Sequence, residues 1–310
     1  MNKKIQKRIE EKLQRLESHR PLNSAVVKKI RESISLDMVY HSNAIEGNTL
    51  SYQETYLVLQ EGVTIKGKSL LEHLEVKNHA SAIDFLYDLI SNRKKVRITE
   101  KLIREIHSLV VRDDEESSPG SYRDIEVRIA GSEHVPPAAY KLPQLMNDLV
   151  TSFRDVNKSK HHPIEFAARL HHDFVGIHPF KDGNGRTGRV LMNIILMQVG
   201  YPLAVIQKED RQKYYRVLEK AHRGNYSDLI NFIALAVDRS LDMYLSAIEK
   251  TTKENEQIPL RKLAQEVNFS QEYLSLLARQ GKIAAFKRGR RWYSTKEAVQ
   301  RYLDNRERKR

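Results

Sequence analysis

The 310-residue chain carries a net charge of +13 and no cysteine, so disulfides and thiolate metal sites are excluded and a reducing, cytoplasmic setting is expected. Its length accommodates one large domain and one small module. The basic surplus is uneven: residues 258–310 hold 14 Lys/Arg against 5 Asp/Glu, which suits a nucleic-acid partner or a solvated face.

The start, MNKKIQKRIEEKLQRLESHR, is charged at helical spacing and lacks the apolar centre of a signal peptide. No uninterrupted apolar run reaches about eighteen residues, so no membrane span is expected. A second helix follows through Val26, Ile30, Ile34 and Met38 and leads into HSNAIEGNTL. Ser42 and Glu46 share one face of it at i and i+4, and Glu46 falls in its last turn, directly before Gly47. Negative charge there opposes the helix dipole, so a partner elsewhere is expected for Glu46.

Apolar residues at three and four continue through Ile83, Leu86, Tyr87 and Ile90 and again through Leu102, Ile106, Leu109 and Val110, so the body reads as mainly α. SYRDIEVRIAGSEHVPP breaks this rhythm. Ile125, Val127 and Ile129 alternate with polar neighbours, Gly131 and Ser132 turn the chain, and Pro136 and Pro137 stop it, which predicts a short β-hairpin. PIEFAARLHHDFVGIHPF then puts Ala167, Leu170, Phe174 and Ile177 on one helical face. After the run KDGNGRTGR, the residues Val190, Leu191, Ile194, Ile195 and Leu196 continue a helix ending at Gly200, with Pro202 beyond. His161 and His162 read as a solvated cap region at a helix start. His171, His172 and His178 with Glu165 lack a zinc-protease spacing.

Residues 183–188, GNGRTG, match the dinucleotide-binding pattern G-x-G-x-x-G. That fingerprint needs a buried strand before the first glycine and an acidic residue about 20 positions later. Here a helix precedes the loop and another follows. The loop still makes an anion site, because glycine allows close backbone approach and the next helix aims unpaired N–H groups at it. Arg186 and Arg189 at i and i+3 can clasp phosphate oxygens. Asp182 offers one hard carboxylate for a Mg2+ that takes its other ligands from a nucleotide. His178 suits removal of a proton from an attacking hydroxyl. Base, carboxylate, cradle and arginines lie within twelve residues, a constellation for phosphoryl or nucleotidyl transfer.

The run IHPFKDGNGRTGR fits H-P-F-x-D/E-G-N-G-R-x-x-R at His178, Pro179, Phe180, Asp182, Gly183, Asn184, Gly185, Arg186 and Arg189. In this it resembles the Fic (filamentation induced by cAMP) family of protein adenylyltransferases. The resemblance implies a Fic-type helical bundle using ATP and Mg2+, in which His178 deprotonates a target hydroxyl that attacks the α-phosphorus. It also implies that Asp182 holds the metal, that Gly183, Asn184, Gly185, Arg186, Thr187, Gly188 and Arg189 line the triphosphate site, and that Phe180 is a packing anchor. The segment 122–137 resembles the family's flap, which aligns a target Ser, Thr or Tyr by strand addition. RQKYYRVLEKAHRGN resembles the adenine-side segment through Tyr215, with His222 where the family usually has Asn. S-N-A-I-E-G resembles the family's inhibitory motif, implying that Ser42 and Glu46 act on Arg189 and hold the enzyme off. Removal of AMP, or phosphotransfer, remains open on the same fold, as do self-modification and a homodimer.

Downstream, EKTTKENEQ at 249–257 reads as a linker. The basic end divides into a helix, a turn at Asn268 and Phe269, a helix opened by Ser270, a β-like stretch turning at Gly289, and a last helix from Thr295. That order resembles an excisionase-like winged helix-turn-helix, which implies DNA binding; a protein-interaction module, or a DNA-bound regulator with a nucleotide-sensing body, stays open. The expected organisation is therefore an N-terminal helical region with the inhibitory helix (1–95), a core with flap and loop (96–248), a linker (249–257) and the small module (258–310).

Overall fold

The computed structural model describes residues 1–310 except 21–23, 93–94, 155–158, 256, 268 and 308–310. They form two units, Met1–Leu245 and Ser246–Arg310. Residues 1–95 and 96–245 therefore share one unit. The first contains helices α1 (Lys3–Ser18), α2 (Ser24–Glu46), α3 (Tyr52–Gln60), α4 (Leu70–Asn92), α5 (Glu100–Val110), α6 (Leu142–Ser152), α7 (Pro163–Ile177), α8 (Asn184–Gln198) and α9 (Arg211–His222). Helix α10 (Ser227–Asn255) begins in this unit and carries the chain past its end.

Helix α8 is the axis of the first unit. Every residue from Arg186 to Leu196 is buried, as expected of a helix covered on all sides, and α2, α4, α5 and α7 pack around it. Gly188 sets the approach of α7: a Cβ there would lie 3.0 Å from Val175 Cγ1 and 3.1 Å from His171 Nδ1. Asn193, fully buried, spends its amide on the carbonyls of Arg189 and Ala204 and the N–H of Ala204, so the segment after α8 is tied to it. Helix α3 starts with a reciprocal capping box between Ser51 and Glu54. Helix α1 is clamped to α10 by Arg8 and Lys12 on Asp238.

Two local expectations are corrected. No strand forms in 122–137. The chain does double back at Gly131, with φ 77°, but Pro136 and Pro137 have no N–H to donate. The two arms are joined by a side chain: the Arg123 guanidinium donates to the carbonyls of Ile125 (2.8 Å) and Pro137 (2.5 Å). The polar run at 249–257 is helical through Asn255 as part of α10, because Glu and Lys favour helix whatever their solvation. Glu256 lies outside the described residues.

The second unit orders its elements as β1 (Ile258–Pro259), α11 (Leu260–Glu266), α12 (Gln271–Arg279), β2 (Ala285–Arg288), β3 (Arg291–Ser294) and α13 (Lys296–Glu307). Its antiparallel sheet runs β1-β3-β2. Helix α12 is capped by Ser270, and Gly289, at φ 57°, opens the two-residue loop between β2 and β3. Leu260, Leu263, Leu274, Leu277, Ile283 and Val299 make a core of their own. The expected turn residue Asn268 lies outside the described residues.

Candidate active site

Helix α7 ends at His178, which adopts a left-handed conformation (φ 52°, ψ 59°) that costs a non-glycine residue about 1 kcal/mol. Surrounding bonds hold it there. Its N–H donates to Phe174 O at 3.1 Å, and its carbonyl accepts from Arg123 Nε at 2.8 Å. The ring Nδ1 lies 3.2 Å from Val175 O; a carbonyl can only accept, so Nδ1 carries the proton and Nε2 keeps its lone pair. Burial lowers the His178 pKa below 6.5, outweighing the Val175 bond and the nearby Glu46 charge, which act to raise it. The imidazole is a neutral base at neutral pH.

The loop that follows is braced from inside. Phe180, fully buried, stacks on His107 of α5 with centroids 3.6 Å apart. The Asn184 amide both accepts from Phe180 N and donates to Phe180 O, at 3.0 and 2.9 Å. Its side chain is thus engaged in bracing the loop, while its backbone stands at the start of α8. The N–H of Gly120 donates to His107 Nδ1, leaving Nε2–H for Asp182 O at 3.0 Å. Gly183, at φ 73°, presses on α5, where a Cβ would lie 2.8 Å from Val111 Cγ1. It begins α8 with no side-chain cap, so the first N–H groups of α8 point into the loop without intrahelical acceptors.

A carboxylate of the chain itself stands at that helix start. A Cβ on Gly185 would lie against Glu46 Oε1 and 2.8 Å from the Glu46 carboxyl carbon. Glu46 Oε1 accepts from Arg189 Nη2 at 2.6 Å, while Ser42 accepts Arg189 Nε on its hydroxyl at 2.7 Å and Nη2 on its carbonyl at 2.9 Å. Arg189 is 1 % exposed. Burial is the largest influence and opposes its charge, but Glu46 together with Tyr214 and Tyr215 outweighs it and raises the pKa. Arg186, 2 % exposed, donates to Glu75 Oε1 on α4 at 3.0 Å and to Asp182 Oδ2 at 2.6 Å. Arg189 Nη1 and Arg186 Nε are buried without a hydrogen-bond partner among the described residues. Two guanidinium groups with spare donors, an uncapped helix start and a bare glycine together make an anion cradle.

A profile of the Fic/DOC family matches residues 97–196. A solved structure of Fic-1 (residues 134–508) from C. elegans is 30 % identical, covers 80 % of this chain and 73 % of that one, and superposes with a TM-score of 0.71. The chain belongs to the Fic/DOC family. Among curated relatives, "Protein adenylyltransferase Fic" of Aedes aegypti is 37 % identical over 266 residues, 86 % of this chain and 52 % of the relative. The protein of the same name from Nematostella vectensis is 39 % identical over 244 residues, 77 % and 55 % respectively. The chain thus spans about half the length of these curated relatives.

With the Fic/DOC family in place, the remaining motif positions divide by role. The structure brings His178, Asp182, Gly183, Gly185, Arg186, Arg189, Ser42 and Glu46 into one site. Thr187 is fully buried and Gly188 sets the α7–α8 approach. Tyr215 lies under Arg211 (4.9 Å) with its hydroxyl 3.5 Å from Ile45 O, beside the inhibitory-motif segment. Tyr214 is core, bonded to His171 at 2.6 Å. His222 stacks on His134 of the 122–137 segment, with centroids 3.8 Å apart. Burial first, then His172 and His134, lower its pKa to about 4. It therefore anchors that segment as a neutral ring.

Four residues of this Fic/DOC site escaped the sequence reading. Glu75 holds Arg186, and Asn48 donates to Glu75 Oε2 at 2.8 Å. His107 positions Asp182 and Phe180. Arg123 straps the loop. His107 was the most accessible of these, as a lone histidine on the apolar face of Ile103, Ile106 and Val110.

Proposed function

We propose that this site transfers an adenylyl group from ATP to a hydroxyl of a protein side chain and that Glu46 holds it off. The reading rests above all on the Glu46 carboxylate seated on Gly185 and Arg189. The cradle accepts an anion, and the chain supplies one that a nucleotide must displace. His178 Nε2 takes the proton of the acceptor hydroxyl, its oxygen bonds to the α-phosphorus, and pyrophosphate leaves. Arg186 and Arg189 bind the departing phosphates, and the first N–H groups of α8 orient them. The donor set fits Mg2+ in one respect: Asp182 is a single carboxylate, more than half exposed, as suits an ion ligated mainly by nucleotide oxygens. Bound there, Mg2+ would neutralise charge on the leaving group. Residues 122–137, with Ile125 and Val135 exposed and their backbone outside any ladder, fit an extended acceptor segment by strand addition.

The test offers α-labelled and γ-labelled ATP with Mg2+ to the wild type, Glu46→Gly and His178→Ala, reading label on the protein and as free AMP. Transfer should come from the α position only, rise in Glu46→Gly and vanish in His178→Ala. Transfer of γ label would make the site a phosphotransferase, and equal signals from all three proteins would refute the mechanism.

A further inference from the structure

Arg123 is a buried cation held without a carboxylate. It is 3 % exposed and in no ion pair among the described residues. Every partner of its side chain is a carbonyl: His178 O on Nε at 2.8 Å, Ile125 O on Nη1 at 2.8 Å and Pro137 O on Nη2 at 2.5 Å. Its main-chain N–H adds Pro179 O at 2.9 Å. Glu126 supports the charge, but burial is the larger influence and lowers the pKa. A buried guanidinium without a counter-charge is costly. What it supplies that a neutral side chain does not is a planar fork of donors that fixes three carbonyls at set angles to one another.

Those carbonyls belong to two parts of the site. Ile125 and Pro137 lie on the two arms of 122–137, whereas His178 and Pro179 are the base and its neighbour. The backbone of His178, at φ 52° and ψ 59°, sets the direction of the ring, whose Nδ1–H reaches back to Val175 O at 3.2 Å. Left-handed backbone is disfavoured by about 1 kcal/mol, so a His178 carbonyl released from Arg123 is free to turn and to carry Nε2 off its line. The turn of the segment is tied down separately. Ser132 Oγ donates to Glu219 and accepts the His134 N–H at 3.1 Å, and His134 Nε2 lies 2.8 Å from Gly176 O. None of these bonds involves His178 or Arg123.

We propose that Arg123 is a positioning residue for the transfer reaction: it locks the two acceptor-docking arms to the base, so that His178 is aimed only while the arms stand at the spacing the guanidinium fork spans. The inference rests on the reading of His178 as the base and of 122–137 as the acceptor segment. It adds that the two are mechanically one, since displacing either arm withdraws a carbonyl from the fork that holds His178.

The experiment uses the full chain in the Glu46→Gly background, with Arg123→Lys, Arg123→Gln or Ser132→Ala added. It reads kcat and KM for ATP in α-label transfer, and the His178 tautomer by long-range 1H–15N NMR, assigned through the signal that His178→Ala lacks. It also reads the rate of tryptic cleavage after Arg128, an exposed residue of the segment, by mass spectrometry. Arg123→Lys keeps the charge but offers one compact ammonium, and Arg123→Gln keeps a planar donor without the charge; neither spans three carbonyls. Both should lower kcat by up to about 10²-fold, the scale of a 1 Å misplacement, with KM for ATP within about twofold. Both should also replace the single Nδ1–H tautomer of His178 by exchanging forms and speed cleavage after Arg128. Ser132→Ala should speed cleavage alone. Faster cleavage in the Arg123 variants with His178 and kcat unchanged would reduce Arg123 to a staple of the segment and overturn the proposal. An altered His178 behind an unchanged cleavage rate overturns it too, as does an altered His178 in Ser132→Ala. The tautomer and cleavage readouts need no nucleotide, so failure of the transfer reading would show as absent α-label transfer in Glu46→Gly itself, separately from failure of this coupling.

Discussion

Arg186 and Arg189 in the first unit and six cations that line a cleft in the second (Arg261, Lys262, Arg279, Lys287, Arg290 and Arg291) are chemically alike but differently provided for. The first pair is buried and matched by Glu75, Asp182, Glu46 and Ser42. The cleft's cations are exposed and in no ion pair among the described residues. A buried guanidinium without a partner is costly, so the first unit has to carry its own anions and any ligand must exchange with them. The cleft needs no such stand-in, because water screens it. Under the proposed function, anion binding in the first unit is gated from within the chain, whereas the exposed cations of the second unit are open to screening by salt.

The largest expected effect separates the catalytic base from the charges around it. His178→Ala should cut α-label transfer by about 10²–10⁴-fold with the circular-dichroism melt nearly unchanged; a loss under tenfold would remove His178 from proton transfer.

Glu46→Gly sharpens the contrast between gated and ungated cations. It should raise transfer while lowering stability without nucleotide by about 1–3 kcal/mol, because Arg189 loses a charged acceptor while buried. ATP with Mg2+ should then raise the melting temperature more in the variant than in the wild type. An equal ligand-induced rise in both would mean that Glu46 does not compete with the nucleotide.

Acid probes the same buried region. Burial lowers His107 to about 4 and His171 to about 3. Between pH 6.5 and those values the unfolded chain binds the extra protons, so stability is present above about 6.5 and falls as pH falls. By pH 5 each ring contributes a loss of about 2 kcal/mol, seen as a lower urea midpoint. Transfer should follow with an acid limb below pH 6.5, since the His178 pKa is depressed. A transfer rate that rises on acidification would contradict a neutral base.

Glu75→Ala leaves Arg186 with Asp182 alone and should raise the KM for ATP several-fold, with Glu75→Gln, which keeps an acceptor, intermediate. Equal kinetics in the two variants would mean that Glu75 only packs. At the small end, Lys287→Ala/Arg290→Ala/Arg291→Ala in the β2–β3 hairpin should change the stability of the chain by no more than about 0.5 kcal/mol. A larger loss would mean that these cations are structural, and the contrast between the regions would fail.

Much of the site was legible without coordinates because it is local. His178, Asp182, Gly183, Gly185, Arg186 and Arg189 fall on one helix end and the next helix start, and helical spacing alone puts Ser42 beside Glu46. The division of labour within that run was not legible. Within the motif the side chain of Asn184 braces Phe180, and Gly188 lets α7 approach α8, roles that the run itself does not announce. The 122–137 segment alternates as a hairpin should, but the side chain of Arg123 joins its arms in place of a ladder.

The sequence by itself determined the helical body, the anion-binding loop and its family resemblance, and the order of elements at the basic end, since each depends on neighbours within a few turns of chain. Only the tertiary structure decided which carboxylate meets which arginine. Glu46 and Arg189 are 143 positions apart, and Glu75 and Arg186 are 111. No local periodicity encodes such pairs; they follow from the packing of α2 and α4 against α8, which brings their carboxylates to guanidinium groups that burial does not leave unmatched.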